Sequence, residues 1–387
     1  MTAKRRVALV RNIFLPYSET FIHDELRHHE RYEATVFARQ WCNAERFPGH
    51  RVIAVERIPD RRHPLASLLY NLTGRSRGHE RALRDGGFDL VHAHFGHNGI
   101  QGMQLARRQR LPLVVSLHGR DVTLLMGRSK YAPEWWHYLL GYRALFRYTS
   151  LFLAASAELR DLIIGCGCPQ EKVRVHRLGV DLTRFAPARD APEDPPQVLM
   201  VGRFVEKKGH QYAIRAAKRV QENGVAFKLV LVGDGPLRPG CERLAMELGL
   251  QKRVEFTGVL SPDQVRARLQ RAALLLAPSV VASNLDRESG LISAKEASAC
   301  GLAVLATHHG GLPEIVDHGT TGFLVAERDP QALAARLQAL LQDPELRHRM
   351  GAAGRLKMAR EYDIRACVNG LEKHYDDAIA SWTVVQP

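Results

Sequence analysis

Glu288 and Glu296 stand eight residues apart in the stretch Glu288-Ser-Gly-Leu-Ile-Ser-Ala-Lys-Glu296-Ala-Ser-Ala-Cys-Gly301. Two acids at that spacing can accept hydrogen bonds from the paired hydroxyls of a hexose or a ribose. The spacing predicts Glu288 in a loop or first turn and Glu296 further along the helix that follows. Eight steps of ~100° come to ~800°, or ~80° past two full turns, so on a continuous helix both acids would share a broad face. The N–H groups of Gly290 and Leu291, at the expected helix start, are natural phosphate ligands. The same residues also read as one acid favoured by the helix dipole and a second that is incidental.

Upstream, Val201-Gly202-Arg203-Phe204-Val205-Glu206-Lys207-Lys208-Gly209-His210 follows an apolar run. Gly202 lets the chain turn tightly out of a strand, and Arg203 and Lys208 bring two cations to the start of a helix. That combination suits a diphosphate, and equally describes a solvated basic loop. Val232-Gly233-Asp234-Gly235-Pro236 is a strand running into a glycine turn, which is a structural signal more than a functional one. His118, followed by Gly-Arg-Asp, ends another apolar run and is a candidate to face a ligand. His92, His94 and His97 have the look of a metal cluster, but turn packing explains their spacing better. Cys166 and Cys168 form a lone C-x-C pair with no second Cys/His pair, so no metal is expected.

These residues need a frame to hold them. Short apolar runs alternate with polar-apolar segments along the whole chain. Expected strands are 7–10, 34–37, 90–93, 113–117 and 151–154, then 197–201, 228–232, 253–257, 273–277 and 303–307. Expected helices between them include 211–222, 240–248, 262–271 and 330–342. Alternation of this kind gives an α/β fold with parallel sheets, which bind ligands at the carboxyl ends of their strands. The run Phe-Ala-Pro-Ala-Arg-Asp-Ala-Pro-Glu-Asp-Pro-Pro at 185–196 breaks the pattern into two halves and implies a cleft. We therefore expect domains at 1–188 and 189–363, and a helix at 364–387 returning to the first.

The ordered set of motifs resembles the retaining glycosyltransferases of family 4. It comprises Gly-Arg-(x)4-Lys-Gly at 202–209, Val-Gly-Asp-Gly-Pro at 232–236, Glu-(x)7-Glu at 288–296, Gly-Gly-Leu-Pro-Glu at 310–314 and Gly-Thr-Thr-Gly-Phe-Leu-Val at 319–325. Upstream it includes Val91-His92-Ala93-His94-Phe95, His118-Gly119-Arg120-Asp121 and Gly179-Val180-Asp181. The resemblance implies a GT-B fold, two Rossmann-like domains facing across a cleft. It implies that the first domain binds the acceptor and the second binds a nucleotide sugar, UDP- or GDP-linked.

The resemblance also assigns roles. Arg203 and Lys208 would neutralise the donor diphosphate, with Gly202, Gly290 and Leu291 beside it. Glu288 would bind hydroxyls of the donor sugar and Glu296 the ribose. The segment at Gly258 and Val259 would take the base, and His118 would touch the sugar near its reacting carbon. Two departures stand out. Glu288 is followed by Ser-Gly-Leu-Ile in place of Gly or x-Phe-Gly. The loop after the first strand carries Phe14-Leu-Pro-Tyr-Ser-Glu-Thr-Phe-Ile22 in place of a Gly-Gly pair. That wording is similar to members that build exopolysaccharides and related surface glycans.

The implied reaction is transfer of a hexose-type sugar to an acceptor hydroxyl with retention of configuration, the departing phosphate taking the proton. Charge stabilisation would supply most of the catalysis. No Asp-x-Asp motif accompanies a sugar pocket, so no obligatory cofactor is expected. Two other classes compete: a nucleotide-sugar epimerase of the same fold, and a non-enzymatic anion- or membrane-binding module.

With 55 Lys and Arg against 41 Asp and Glu, the net charge is +14. An anionic substrate or an anionic membrane surface fits this charge. Nucleic acid fits least, because no recognition motif accompanies the scattered arginines, among them Arg61, Arg62 and Arg75. The segment Glu134–Tyr148 is aromatic and basic together. It reads either as a surface helix reaching a polyprenyl-diphosphate-linked glycan at the bilayer, or as an ordinary core helix with exposed arginines. No run approaches the ~20 apolar residues of a membrane span. The short apolar stretch after Arg6 is unlike a secretion signal, which predicts a cytoplasmic protein, peripheral at most on the inner face of the membrane.

Overall fold

A computed structural model describes residues 4–16, 19–57, 70, 76–127, 132–187 and 194–382. The chain forms two compact units: Met1–Gly179 with Ile364–Pro387, and Val180–Asp363.

The first unit is built on β1 (Arg5–Phe14), β2 (Tyr32–Trp41), β3 (Arg51–Arg57), β4 (Leu90–His94), β5 (Leu113–Leu117), β6 (Leu151–Ala154) and β7 (Val173–Val175). Their order is β3-β2-β1-β4-β5-β6-β7 and the pairs are parallel. Every residue of β4 and β5 is buried. Parallel strands covered by helices on both faces carry such runs of buried residues without alternation. One covering layer is the helix Ile364–Ala380, whose Leu371, Tyr375 and Ala378 join Val7, Leu90, Val114 and Leu153 in one apolar cluster. Glu372 fixes it in place. Its carboxylate accepts the backbone N–H groups of Glu30, Arg31 and Tyr32 at 2.9, 2.9 and 3.2 Å, and pairs with His29 and Arg31.

The second unit carries β8 (Gln197–Val201), β9 (Lys228–Val232), β10 (Val254–Gly258), β11 (Leu274–Ala277), β12 (Ala303–Thr307) and β13 (Gly322–Val325). They run in the order β10-β9-β8-β11-β12-β13, again parallel.

All ten expected strands are present, and β3, β7 and β13 extend the sheets beyond them. The units part at Gly179/Val180, earlier than the expected 188/189. Val180 and Phe185 are already buried in the second core, and the Val180 N–H donates to the Tyr362 carbonyl at 2.8 Å. Burial of those two side chains outweighs the proline signal further on. Residues 188–193 of the proline-rich run, and Arg61, Arg62 and Arg75, lie outside the described residues.

Candidate active site

In the second unit, β8 and β11 are hydrogen-bonded neighbours from which the sheet grows in opposite directions. The loops leaving their carboxyl ends diverge around a crevice, the usual ligand position in a doubly wound sheet. Here the two loops are tied together. Gly209, at φ 72°, passes so close to the loop after β11 that a Cβ would lie 1.9 Å from the Pro278 carbonyl oxygen. The Val280 N–H donates to the Lys207 carbonyl at 2.9 Å, and Ser293 Oγ donates to the Val201 carbonyl at 3.4 Å. Gly233 makes the next close approach. A Cβ there would meet the Gly202 carbonyl oxygen at 2.1 Å, so only glycine lets the β8 and β9 ends converge.

Glu288 lies in the loop after β11, and its buried carboxylate faces two lysines. Lys208 Nζ sits 3.1 Å from Oε2 and Lys207 Nζ 3.5 Å from Oε1. Burial opposes the charge on Glu288, but Lys208 and then Lys207 overcome it and hold the carboxyl at about 2. Oε1 is buried and finds no hydrogen-bond partner among the described residues. The carboxylate therefore keeps acceptor capacity for a hydroxyl group. Lys207 also reaches Asp286 Oδ1 at 3.2 Å, and with Glu288 and Asp286 beside it its pKa rises despite burial. Burial instead lowers that of Lys208.

The backbone of Glu288 is held as well. Its N–H donates to His309 Nε2 at 3.0 Å, so that nitrogen carries no proton. The ring proton is on Nδ1, 2.6 Å from Glu327 Oε1, and Glu327 Oε2 accepts the Val281 N–H at 2.8 Å.

The helix after this loop spans only Ile292–Ala299, with Leu291 as an N-cap lacking a side-chain cap bond. Glu288 therefore precedes the helix. The shared-face argument fails, because residues 288–291 do not turn by 100° each. Glu296 is half-buried in the second turn of that helix, and Gly290 and Leu291 lead into it. Arg203 is exposed beside Gly202, and Val259 is exposed just past β10. Lys207, Asp286, His309 and Glu327 were not singled out from sequence. Lys207 hides beside Lys208 in one basic run, and Glu327 lies 39 positions from Glu288 with no motif around it.

In the first unit the corresponding switch point lies between β1 and β4. Phe95, with φ 72° although not glycine, starts the helix Gly96–Gln109, and such backbone strain concentrates at ligand sites. Arg11 lies over the Phe95 ring at 4.1 Å and forms a part-buried fork with Glu19. His118 follows β5, its backbone N–H on Asp121, with Phe95 and Phe21 rings 4.6 and 5.0 Å away. Burial raises the Asp121 pKa, against which the N–H groups of Gly96, His118 and Gly119 act.

Among the described residues, Glu25, His92 and His94 have ligand atoms all within 4.8 Å of one another, close enough for a metal. His97 is not in that group. Both His92 nitrogens are already engaged, Nε2 with Ser116 Oγ at 2.8 Å and Nδ1 with the Tyr375 hydroxyl at 2.7 Å. Hydrogen bonding thus accounts for His92 without an ion.

The segment at 134–148 forms the helix Trp136–Tyr148. Tyr138, Leu145 and Phe146 pack into the core, while Trp136 is 53% and Leu140 84% exposed. With Arg143 and Arg147 they form one outward stripe, so the core and surface readings each describe one face. Among the described residues no helix is long and apolar enough to cross a membrane.

Residues 19–184 match the family described as Glycosyltransferase Family 4, and residues 183–357 match Glycosyl transferases group 1. The chain is 36% identical over 257 residues to the putative colanic acid biosynthesis glycosyltransferase WcaL of Escherichia coli K12, covering 66% of this chain and 62% of that one. The match thus spans less than two thirds of that relative. A Mycolicibacterium smegmatis protein, the GDP-mannose-dependent alpha-(1-6)-phosphatidylinositol monomannoside mannosyltransferase, is 30% identical, with 90% of this chain and 92% of that one covered. Anabaena Alr3699/HepE, solved in complex with UDP-glucose, superposes with a TM-score of 0.75 at 19% identity over 96% and 99% of the two chains. The fold is GT-B, an α/β architecture of two Rossmann-like domains.

Proposed function

The chain belongs to glycosyltransferase family 4, and from that premise we propose that it transfers a hexose-type sugar from a nucleoside-diphosphate sugar to an acceptor hydroxyl with retention, in the synthesis of an exopolysaccharide or other surface glycan. The observation that carries this reading is the Glu288 carboxylate, ionised between Lys207 and Lys208, with one oxygen still able to accept a hydrogen bond. Sugar hydroxyls are donors suited to that oxygen, and the adjacent ammonium groups and Arg203 suit a diphosphate. In this reading Glu296 takes the ribose, Val259 flanks the base, and Gly202, Gly290 and Leu291 offer backbone to the phosphates. His118 contacts the sugar. As the bond to the departing phosphate breaks, negative charge grows on the oxygens nearest Lys208 and Arg203, which lowers the barrier.

We assign the acceptor to the first unit. The exposed stripe of Trp136, Leu140, Arg143 and Arg147 supports contact with an anionic membrane and a polyprenyl-diphosphate-linked glycan. Sedimentation with anionic liposomes at low and high salt tests this, and no binding at either salt refutes it.

The donor test is a thermal-shift screen against UDP-, GDP- and ADP-sugars, since a bound donor stabilises the native state. One of them should raise the melting temperature and then support transfer in excess chelator. Stabilisation by none, or turnover of a donor with no acceptor present, refutes the transferase reading; the latter would mark an epimerase. Activity abolished by chelator and restored by magnesium or manganese would refute the metal-independent mechanism.

A further inference from the structure

Two side chains buried in the first unit, Glu25 and His94, form a chain that ends on the half-buried His118. Glu25 comes from the helix Thr20–Arg27, His94 is the last residue of β4, and His118 follows β5. His94 Nδ1 lies 3.0 Å from His118 Nε2, the ring planes are 8° apart and the centroids 5.3 Å apart, a separation long enough for the two rings to meet edge to edge through these nitrogens. On its other edge, His94 Nε2 lies 3.2 Å from Glu25 Oε1, and among the described residues neither atom has a hydrogen-bond partner elsewhere.

A hydrogen bond between two imidazole nitrogens contains one proton, which leaves two arrangements. If His94 supplied it from Nδ1, its Nε2 would turn a lone pair toward the Glu25 carboxylate. Two negative ends 3.2 Å apart in a buried site repel each other strongly. If His118 supplies the proton from Nε2, His94 carries its own on Nε2, pointing at the carboxylate, and each contact becomes attractive. Burial, with Arg11, His176 and His29 nearby, brings the His94 pKa down to about 3, so the ring is neutral and has a single proton to place. Phe21 and Phe95 flank the His118 ring. His92 adds no proton to this chain, since its nitrogens face Ser116 and Tyr375.

We propose that Glu25, acting through His94, holds His118 in the tautomer protonated at Nε2, so that Nδ1 meets its partner as an acceptor. Glu25 and His94 are then positioning residues. Resting on the reading of His118 as a contact of the donor sugar, this means His118 receives a hydrogen bond from a hydroxyl and does not give one to the departing phosphate. The order of the chain explains why an acid on the helix Thr20–Arg27 and a histidine at the end of β4 bear on a residue after β5.

The test is long-range ring-nitrogen NMR of the full-length protein, with His118→Gln and His94→Gln spectra used for assignment. Both rings should show the pattern of a proton on Nε2. In Glu25→Gln the charge that selects this arrangement is gone, and a population of His118 with its proton on Nδ1 should appear. The same variant should weaken the nucleotide sugar by at least about fivefold while the bare nucleoside diphosphate binds within about twofold of wild type. A wild-type His118 protonated on Nδ1 overturns the proposal without need of any variant. A Glu25→Gln spectrum identical to wild type overturns it too. So does one equivalent of zinc bound to the wild type and lost in Glu25→Gln, because an ion would then hold the place of the proton. Failure of every nucleotide sugar to bind would sink the transferase reading while leaving the tautomer measurement intact.

Discussion

Replacing Glu288 with Gln keeps the shape of the side chain and removes one negative charge from between Lys207 and Lys208. Its folded-state value of about 2 lies below the ordinary 4.5, so the ionised group contributes stability that is fully present above about 4.5. That contribution is lost as pH falls from about 4.5 toward about 2. The difference, at ~1.4 kcal/mol per factor of ten, corresponds to about 3 kcal/mol at neutral pH. For a domain of about 150–250 residues this lowers the unfolding midpoint by about 6–12 °C. The variant should lose that stability at neutral pH and should titrate less between about 4.5 and 2. Binding separates two roles. If Glu288 grips the sugar, losing a charged hydrogen bond of about 1.5–3 kcal/mol weakens the nucleotide sugar about 10- to 100-fold. The bare nucleoside diphosphate should bind as well or better, because the two ammonium groups have lost a competing anion. Calorimetry with both ligands on wild type and variant reads this directly. Equal weakening of both, or of neither, would refute the assignment of Glu288 to the sugar.

Lys208→Met should destabilise the fold by about 3 kcal/mol by leaving Glu288 short of a partner, and the double variant with Glu288→Gln should recover most of that in thermal unfolding while donor binding stays lost. His309→Phe removes the acceptor of the Glu288 N–H and should cost about 1–3 kcal/mol, with calorimetry showing a larger loss for the nucleotide sugar than for the diphosphate alone. Glu372 is held at about 2 against its own burial by His29 and the Arg31 and Glu30 N–H groups. Wild-type stability should therefore fall as pH drops from about 4.5 toward about 2, and Glu372→Gln should lose about 2 kcal/mol at neutral pH and flatten that fall in acid melts.

Much of the fold was legible because parallel strands are local signals. The apolar runs Val198–Val201 in β8, Leu229–Val232 in β9, Leu274–Ala277 in β11 and Ala303–Ala306 in β12 allow few other readings, and each expected strand is there. The three additions escaped for physical reasons. β7 is three residues long, β3 is half polar, and β13 starts at a glycine whose Cβ would strike the Val304 carbonyl oxygen at 2.0 Å. At the site, Lys208 and Glu288 were visible as motif positions, but their salt bridge joins two loops 80 positions apart. The helical wheel misplaced Glu288 because it presumed a helix where the chain is still a loop. Glu25, His309 and Glu327 lacked a local pattern altogether, since their roles exist only once distant strand ends converge.

The helix Ile364–Ala380 completes a unit whose other residues end at Gly179. The second unit is contiguous and holds all of its own strands. During synthesis the N-terminal sheet must therefore wait for its last layer while residues 180–363 are made, about 10–40 s at about 5–20 residues per second. Through that interval Val7, Leu90 and Val114 lack Leu371 and Tyr375, and the N–H groups of Glu30, Arg31 and Tyr32 lack the Glu372 carboxylate. The domain that begins first is thus the one that finishes last, and nascent chains stalled before residue 364 should be protease-resistant in their second half sooner than in their first.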